Sequence, residues 1–246
     1  MSLEQYLESL ADDDRPLRNA DLMQLSDLTS EDLQLVASVW RDIDAERRRD
    51  VLERLINLSE ENLEAEFSDL FRHCLADESP EVRAKAIEGL WECDERTLVT
   101  PLIALLGRDP FEEVRAAAAM ALGKFALLSQ TGKLLHKDGD RIKQSLMRTV
   151  LDGDETLPVR RRAMEAVAPF NTDDVQRVIQ DAYLSQVKGM RCSAVYAMGK
   201  SCDSRWLPTI LAELQNTDAA MRYEASNACG ELGEEPAVPH LSLIHI

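Results

Sequence analysis

Residues 77–91 read DESPEVRAKAIEGLW, and residues 109–123 read DPFEEVRAAAAMALG. Both segments place an apolar residue directly before an arginine, and an alanine and a second apolar residue follow the first at four-residue intervals. The pattern occurs five times, and its leading apolar residues are Val82, Val114, Val159, Met190 and Met221. The successive intervals of 32, 45, 31 and 31 residues are typical of a stacked repeat array.

Each repeat is predicted to contain two helices, of which the second carries the pattern. Residues four and eight positions after the leading residue lie on its helical face, so this face is expected to be buried. A turn is predicted before each second helix, because residues that favour turns and helix N-caps stand five positions before the leading residue. These residues are Asp77, Asp109, Asp154, Ser185 and Asn216, and Pro80, Pro110 and Pro158 fall in the same turns.

The pattern, D-x-x-x-x-V-R-x-x-A-x-x-x-L-G, resembles the second-helix signature of HEAT repeats, including the bacterial variety called PBS-lyase HEAT-like repeats. The resemblance implies an all-α fold, an α-solenoid in which antiparallel helix pairs form a right-handed superhelix. It implies that the second helices line the concave side. It also implies that the recurring arginines pair with turn acids of their own or adjacent repeats. This structural ladder would consist of Arg83, Arg115, Arg160, Arg191 and Arg222.

Residues 1–64 fall outside the pattern and are predicted to form a helical N-terminal cap that includes a degenerate repeat. Ser2-x-x-Gln5 and Thr29-x-x-Asp32 have the spacing of capping boxes, and Asp44 is expected to begin a further helix. Residues 65–240 are predicted to hold about five HEAT-like repeats.

Two segments depart from the regular repeat. The 45-residue interval contains an insertion near residues 127–140, which is expected to be a surface loop with a basic spot at Lys133, His136 and Lys137. The last six residues, LSLIHI at 241–246, match one reading frame of a common sequencing adapter. They are expected to be a non-native tail, and the native protein is expected to continue beyond residue 240.

The charge balance disfavours two classes of partner. The chain carries 45 acidic and 28 basic residues, for a formal net charge of -17. A protein this acidic repels nucleic-acid backbones and gains nothing from an anionic membrane surface. The five cysteines form no C-x-x-C pair, and neither a signal peptide nor a membrane-spanning run is recognised. A cytoplasmic protein is therefore expected.

The sequence contains no recognisable catalytic motif. H-E-x-x-H, G-x-S-x-G and Gly-rich phosphate loops are absent from it. No histidine is followed by glutamate, which is the iron-ligand pair of the HEAT-repeat deoxyhypusine hydroxylases. His73 and Cys74 are adjacent, but neighbouring helical residues point about 100° apart, and no second ligand pair accompanies them. No catalytic, cofactor or metal site is expected.

Positions three, six and ten after each leading residue are expected to form the exposed stripe of the second helices. The stripe has mixed charge, unlike a phosphate-binding track, and aromatic anchors stand on it or beside it. The candidate partner-binding residues are Glu88, Trp91, Met120, Arg162, Tyr196, Lys200, Tyr223 and Asn227.

These features favour a non-catalytic interaction scaffold that binds a protein or peptide on the concave face of the solenoid. One alternative is an accessory or lyase-like subunit related to the phycobilin lyases, which rests on the fold resemblance alone. A second alternative is a nucleic-acid-binding HEAT protein, which the net charge opposes.

Overall fold

The computed structural model describes residues 3–12, 14–62 and 64–233, and this part of the chain contains fourteen α-helices and no strand. The predicted all-α solenoid of helix pairs is thereby confirmed. The chain divides into two compact units, Met1–Glu95 (unit 1) and Arg96–Ile246 (unit 2). Ser2 and the proposed tail lie outside the described residues, so the predictions that concern them stay predictions.

Unit 1 begins with two short helices and continues with two helix pairs. Thr29 and Asp32 form the predicted capping box, since the Thr29 Oγ1 accepts from the Asp32 amide and the Asp32 carboxylate accepts from the Thr29 amide. Asp44 caps the next helix by accepting from the Glu46 amide at 2.9 Å. The helices are α1 Leu3–Leu10, α2 Asn19–Leu22, α3 Ser30–Trp40, α4 Ala45–Glu61, α5 Ser68–Cys74 and α6 Pro80–Gly89.

Arginines of α4 secure the N-terminal segment of unit 1. The Arg47 guanidinium donates to the carbonyls of Leu10, at 2.6 Å, and Arg15, at 2.8 Å. The Arg54 guanidinium donates to the Leu17 carbonyl at 2.8 Å. These bonds satisfy carbonyls at and after the end of α1, which lack helical partners.

A buried arginine joins the two helix pairs of unit 1. Arg48, on α4, donates to the Ile43 carbonyl at 2.7 Å and to the Asp77 carboxylate at 3.0 Å. Asp77 also accepts from the Trp40 indole at 2.8 Å and from the Ser79 amide at 2.9 Å. The Arg48 and Asp77 side chains are almost completely buried. Arg48 therefore plays the part of a repeat arginine in the α3–α4 pair, a role that the sequence pattern did not identify.

Unit 2 consists of four helix pairs in which the second helices pack side by side. The predicted core positions are buried in every repeat: the leading residue, the alanine and the second apolar residue are all less than a tenth exposed. The helices are α7 Val99–Arg108, α8 Glu112–Gln130, α9 His136–Leu151, α10 Leu157–Val167, α11 Asp173–Tyr183, α12 Lys188–Lys200, α13 Leu207–Glu213 and α14 Ala219–Leu232.

The segment 127–140 is mostly helical, so the expectation of a surface loop was wrong. Helix α8 runs to Gln130 and α9 starts at His136, which leaves a connection of five residues. The extra residues lengthen α8 and α9, because Phe125 and Ala126 continue the buried face of α8. The Asp138 carboxylate is buried in the first turn of α9, where Arg96, 2.5 Å away, and Arg141 bind it. The hydrogen bond from Arg96 lowers the pKa of Asp138.

The turn residues before the second helices accept hydrogen bonds without being N-caps themselves. Asp77, Asp109, Ser185 and Asn216 each accept from the amide two residues later, at 2.8 to 3.1 Å. These bonds form small turns that precede the N-cap residue. Asp154 is the exception, because there the neighbouring Glu155 accepts from the Thr156 amide at 2.6 Å.

Small residues set the distance between neighbouring second helices in unit 2. A Cβ placed on Gly199 of α12 would lie 2.6 Å from the Cα of Ala228 in α14. A Cβ on Gly123 of α8 would lie 3.2 Å from the Cα of Ala166 in α10. A Cβ on Gly230 would meet no atom of a described residue within 4 Å. Glycine is therefore needed for contact at Gly199 but not at Gly230.

We expect Gly199→Ala to lower the free energy of unfolding by about 1–2 kcal/mol, because α14 must move away from α12. Gly230→Ala is the matched control on an open helix surface, where alanine should add about 0.5–1 kcal/mol through helix propensity. Urea denaturation followed by circular dichroism measures both. Equal effects of the two substitutions would contradict the assigned contact.

We expect Arg48→Met to cost about 3–5 kcal/mol of unfolding free energy, because it leaves the buried Asp77 carboxylate without its cation. Arg162→Met, which removes an exposed arginine, should cost less than about 1 kcal/mol. The same urea titration compares them. An Arg48→Met protein as stable as the wild type would mean that apolar packing alone holds α4 against α6.

Candidate functional site

The eight candidate partner-binding residues fall in both units. Glu88 and Trp91 belong to unit 1, at the end of α6 and just after it. The other six lie on α8, α10, α12 and α14 of unit 2. Each unit therefore has its own candidate surface, and the two surfaces are described separately.

The surface of unit 1 is a groove between the α4–α5 connection and the end of α6, called the acidic groove below. Phe67, Phe71 and Gly89 form its apolar base. A Cβ on Gly89 would lie 2.5 Å from the Phe71 ring, so glycine allows that ring to lie against α6. Trp91 stands at the rim with 72% of its surface exposed.

The described residues that line the acidic groove include seven carboxylates and no lysine or arginine. Glu88 pairs with Lys85 at 2.8 Å, and Glu95 pairs with Arg72. Glu66 accepts from the Ser68 amide at 2.7 Å, as in a helix-capping turn. The lining acids are Glu60, Glu66, Asp69, Glu88, Glu92, Asp94 and Glu95.

Three of these acids have no cation beside them. Glu60, Asp69 and Glu92 make no ion pair with any residue in the described ranges. Like charges in one concavity repel one another, and the groove presents a negative potential to solvent. The groove is thus electrostatically suited to a cationic ligand.

Two predicted candidates of unit 2 are exposed apolar or aromatic side chains. Met120 on α8 is 56% exposed, and Tyr223 on α14 is 64% exposed. Asn227, one turn after Tyr223, is exposed as well. These side chains are available to a partner without any rearrangement of the helices.

Tyr196 and Lys200 are half-buried and interact with each other. The Lys200 Nζ lies 5.7 Å from the centre of the Tyr196 ring and binds Glu231 at 2.6 Å. Burial raises the pKa of Tyr196. Burial alone would lower the pKa of Lys200, but the hydrogen bond to Glu231 and the electrostatic attraction of Tyr196 and Glu231 together outweigh burial, and the net pKa is raised. Both residues are engaged within the protein.

Arg162 is also engaged, in a network that links α10 to α12. It donates to Glu165 at 2.8 Å, and Ser193 donates to the other Glu165 oxygen at 2.5 Å. Arg161, which the sequence analysis did not single out, donates to Ser193 at 2.8 Å. Burial and the nearby Glu165 raise the pKa of Glu224 on α14.

The predicted arginine ladder contacts turn carbonyls more than turn acids. Arg83, Arg115 and Arg222 each donate to the carbonyl six residues earlier, at 2.7 to 2.9 Å. Arg115 also forms a two-bond pair with Glu155 of the next helix pair, at 2.8 Å. Arg160 donates to the Val150 carbonyl. Arg191 makes no side-chain hydrogen bond to a described residue.

No group of three or more metal-ligating side chains comes together among residues 3–12, 14–62 and 64–233. Within these ranges, no helix has both the length and the apolar composition that a membrane crossing requires.

Comparison with known proteins identifies the repeats. Residues 68–168 match the family model for HEAT repeats. A search of curated protein sequences finds no match. The fold is similar to that of a Kap121p mutant, with 14% identity, coverage of 94% of this chain and 25% of that one, and a TM-score of 0.53.

A structure of Kap95p binding to RanGDP is similar at 12% identity, covering 99% of this chain and 31% of the other, with a TM-score of 0.50. This chain therefore spans a third or less of both proteins. Human deoxyhypusine hydroxylase in complex with glycerol matches at 19% identity over 98% of this chain and 90% of that one. The TM-score of that match is 0.38.

The fold therefore defines an all-α solenoid protein built from stacked helix pairs. Its repeats at residues 68–168 are HEAT repeats.

The exposure of the two tyrosines leads to a test of the unit 2 surface. We expect Tyr223→Ala to change the free energy of unfolding by less than about 0.5 kcal/mol, because the ring is mostly in solvent. Tyr196→Ala should cost about 1–2 kcal/mol, because a half-buried aromatic ring is lost. Thermal and urea unfolding measure both, and a larger cost at Tyr223 would reverse the assignment of surface and core.

Proposed function

We propose that this chain is a non-catalytic interaction protein, and that the acidic groove of unit 1 binds a basic segment of a partner protein. The observation that carries the proposal is Trp91, a largely exposed indole at the rim of a groove whose described lining residues include seven acids and no lysine or arginine. Sequence analysis had placed Trp91 and Glu88 among the partner-binding candidates.

Trp91 supports a contact with a lysine or arginine side chain. An indole face attracts a nearby cation, and it also packs against the aliphatic part of a long basic side chain. Exposed aromatic residues in a concavity with a polar rim are typical of protein-binding sites. The apolar base formed by Phe67 and Phe71 gives such a side chain a surface to lie against.

The carboxylates of the groove favour a ligand with positive charge. A cationic segment would relieve the repulsion among Glu60, Asp69 and Glu92, which have no ion pair within the described ranges. The net charge of -17 adds a long-range attraction that speeds encounter with a basic partner. Binding of this kind weakens as salt concentration rises.

The exposed Met120 and Tyr223 of unit 2 are proposed as additional partner contacts. Arg162 and Lys200 are less suitable anchors, because Glu165 and Glu231 already bind them. A partner that used either cation would first have to break its internal ion pair.

The test is a selection of ligands followed by variants of the groove. A random 12-residue peptide library is panned on the immobilised chain, and enriched peptides are measured by fluorescence anisotropy at low and high salt. We expect enriched peptides to be rich in lysine and arginine. Trp91→Ser and Glu92→Lys should each weaken their binding at least about tenfold, which is a loss of about 1.4 kcal/mol.

Glu113→Lys is the matched control, since Glu113 is an exposed acid outside the groove that makes no ion pair with a described residue. It should change the affinity less than about twofold, through net charge alone. Enriched peptides without basic residues, or binding that Trp91→Ser leaves intact, would contradict the proposal.

A further inference from the structure

One edge of unit 2 exposes apolar side chains at three successive inter-helix turns. Phe111, Leu157 and Val187 stand at the N-terminal ends of α8, α10 and α12, and all three are exposed. Leu151 and Leu184, at the ends of the preceding first helices, are exposed too. The corresponding turn before α14 is polar, because Asp218 caps that helix.

Helix stability does not account for the apolar residues at these turns. Phe111 and Val187 are the N-cap residues of α8 and α12, and neither supplies a side-chain cap. Ser79 and Asp218 do so at the equivalent positions of α6 and α14. An apolar N-cap leaves amides of the first turn without the acceptor that serine or aspartate would provide.

Two of these turns enclose an apolar groove, called the edge groove below. Its base is formed by the buried residues Val150, Val178 and Met190, and its rim by the exposed residues Leu151, Leu157 and Val187. The groove lies between the α9–α10 and α11–α12 turns, on a surface separate from the second-helix stripe.

The charged residues of the edge groove indicate what fits it. Arg160 lines it and donates its Nε to the Val150 carbonyl at 3.1 Å. Asp181 lines it and makes no ion pair or hydrogen bond through its carboxylate with any described residue. A second copy of the chain is a poor occupant, because each copy carries a net charge of -17.

We propose that the edge groove is a second docking site, for a short amphipathic helix of another protein with two aliphatic side chains and an adjacent lysine or arginine. The aliphatic side chains contact Leu157 and Val187 and cover the base of the groove, which removes apolar surface from water. The basic side chain pairs with Asp181. The site is independent of the acidic groove, so either proposal can fail alone.

The probes are three amidated 14-residue peptides of equal length. One repeats leucine at helical spacing with lysine elsewhere, the second replaces lysine with glutamate, and the third replaces leucine with serine. Isothermal titration with the full chain should give a dissociation constant below about 100 µM for the leucine–lysine peptide. The leucine–glutamate peptide should bind at least tenfold more weakly, and the serine–lysine peptide should show no saturable binding at this groove.

Methyl NMR of leucine and valine locates the contact on the chain. We expect the leucine–lysine peptide to shift the resonances of Leu151, Leu157 and Val187. The double variant Leu157→Ser with Val187→Ser should bind it at least tenfold more weakly. Because serine at position 187 supplies the missing N-cap, the single variant Val187→Ser should melt at the same temperature as the wild type or higher.

Two controls separate this site from other surfaces. Leu127→Ser removes an exposed leucine of α8 outside the edge groove, and Trp91→Ser alters the acidic groove. Leu127→Ser should leave the titration of the leucine–lysine peptide within about twofold of the wild type. In the Trp91→Ser variant, in which the acidic groove is impaired, the peptide should still shift the methyl resonances of Leu151, Leu157 and Val187.

Three results would overturn the proposal. The first is the absence of saturable binding when the leucine–lysine peptide is titrated up to a concentration of about 1 mM. The second is methyl shifts confined to other leucines and valines. The third is a wild-type dimer in analytical ultracentrifugation that the double variant dissociates, which would make a second copy the occupant.

Discussion

In four of the helix pairs, an arginine reaches back to the turn before its own helix and binds a backbone carbonyl there. The carbonyls of an inter-helix turn have no partner within either helix, and burying them unpaired is costly. Arg83, Arg115 and Arg222 each bind the carbonyl six residues earlier, and Arg48 binds the Ile43 carbonyl, five residues earlier. The buried faces of the helices can stack because these turns are already satisfied.

The sequence could predict the parts of the fold that follow from spacing. Apolar residues at four-residue intervals marked five buried helix faces, and the turns before them carried the expected polar residues. The role of Arg48 was not predictable, because the residue before it is Arg47 rather than an apolar residue. Its significance depends on Trp40, at the end of α3, and on Asp77, in the turn between α5 and α6.

For the candidate sites as well, the sequence could predict which residues are exposed but not which side chains bind one another. Spacing placed Trp91, Met120 and Tyr223 on or beside the exposed stripe, and they are exposed. Spacing could not show that Glu165 and Glu231 bind Arg162 and Lys200, since side-chain rotamers decide such pairs. The acids that the α4–α5 region contributes to the acidic groove lie outside the repeat pattern. Their positions relative to Trp91 therefore could not be read from the repeat spacing.

The lengthening of both α8 and α9 limits the number of residues that this helix pair can gain or lose. An insertion shared between two antiparallel helices keeps their facing sides in register only if each gains a nearly whole number of turns. The extra residues of the long interval amount to roughly two turns in each helix, at 3.6 residues per turn. Residues can therefore be added to or removed from this hairpin in blocks of about seven per helix, whereas single-residue changes would rotate the buried face out of contact.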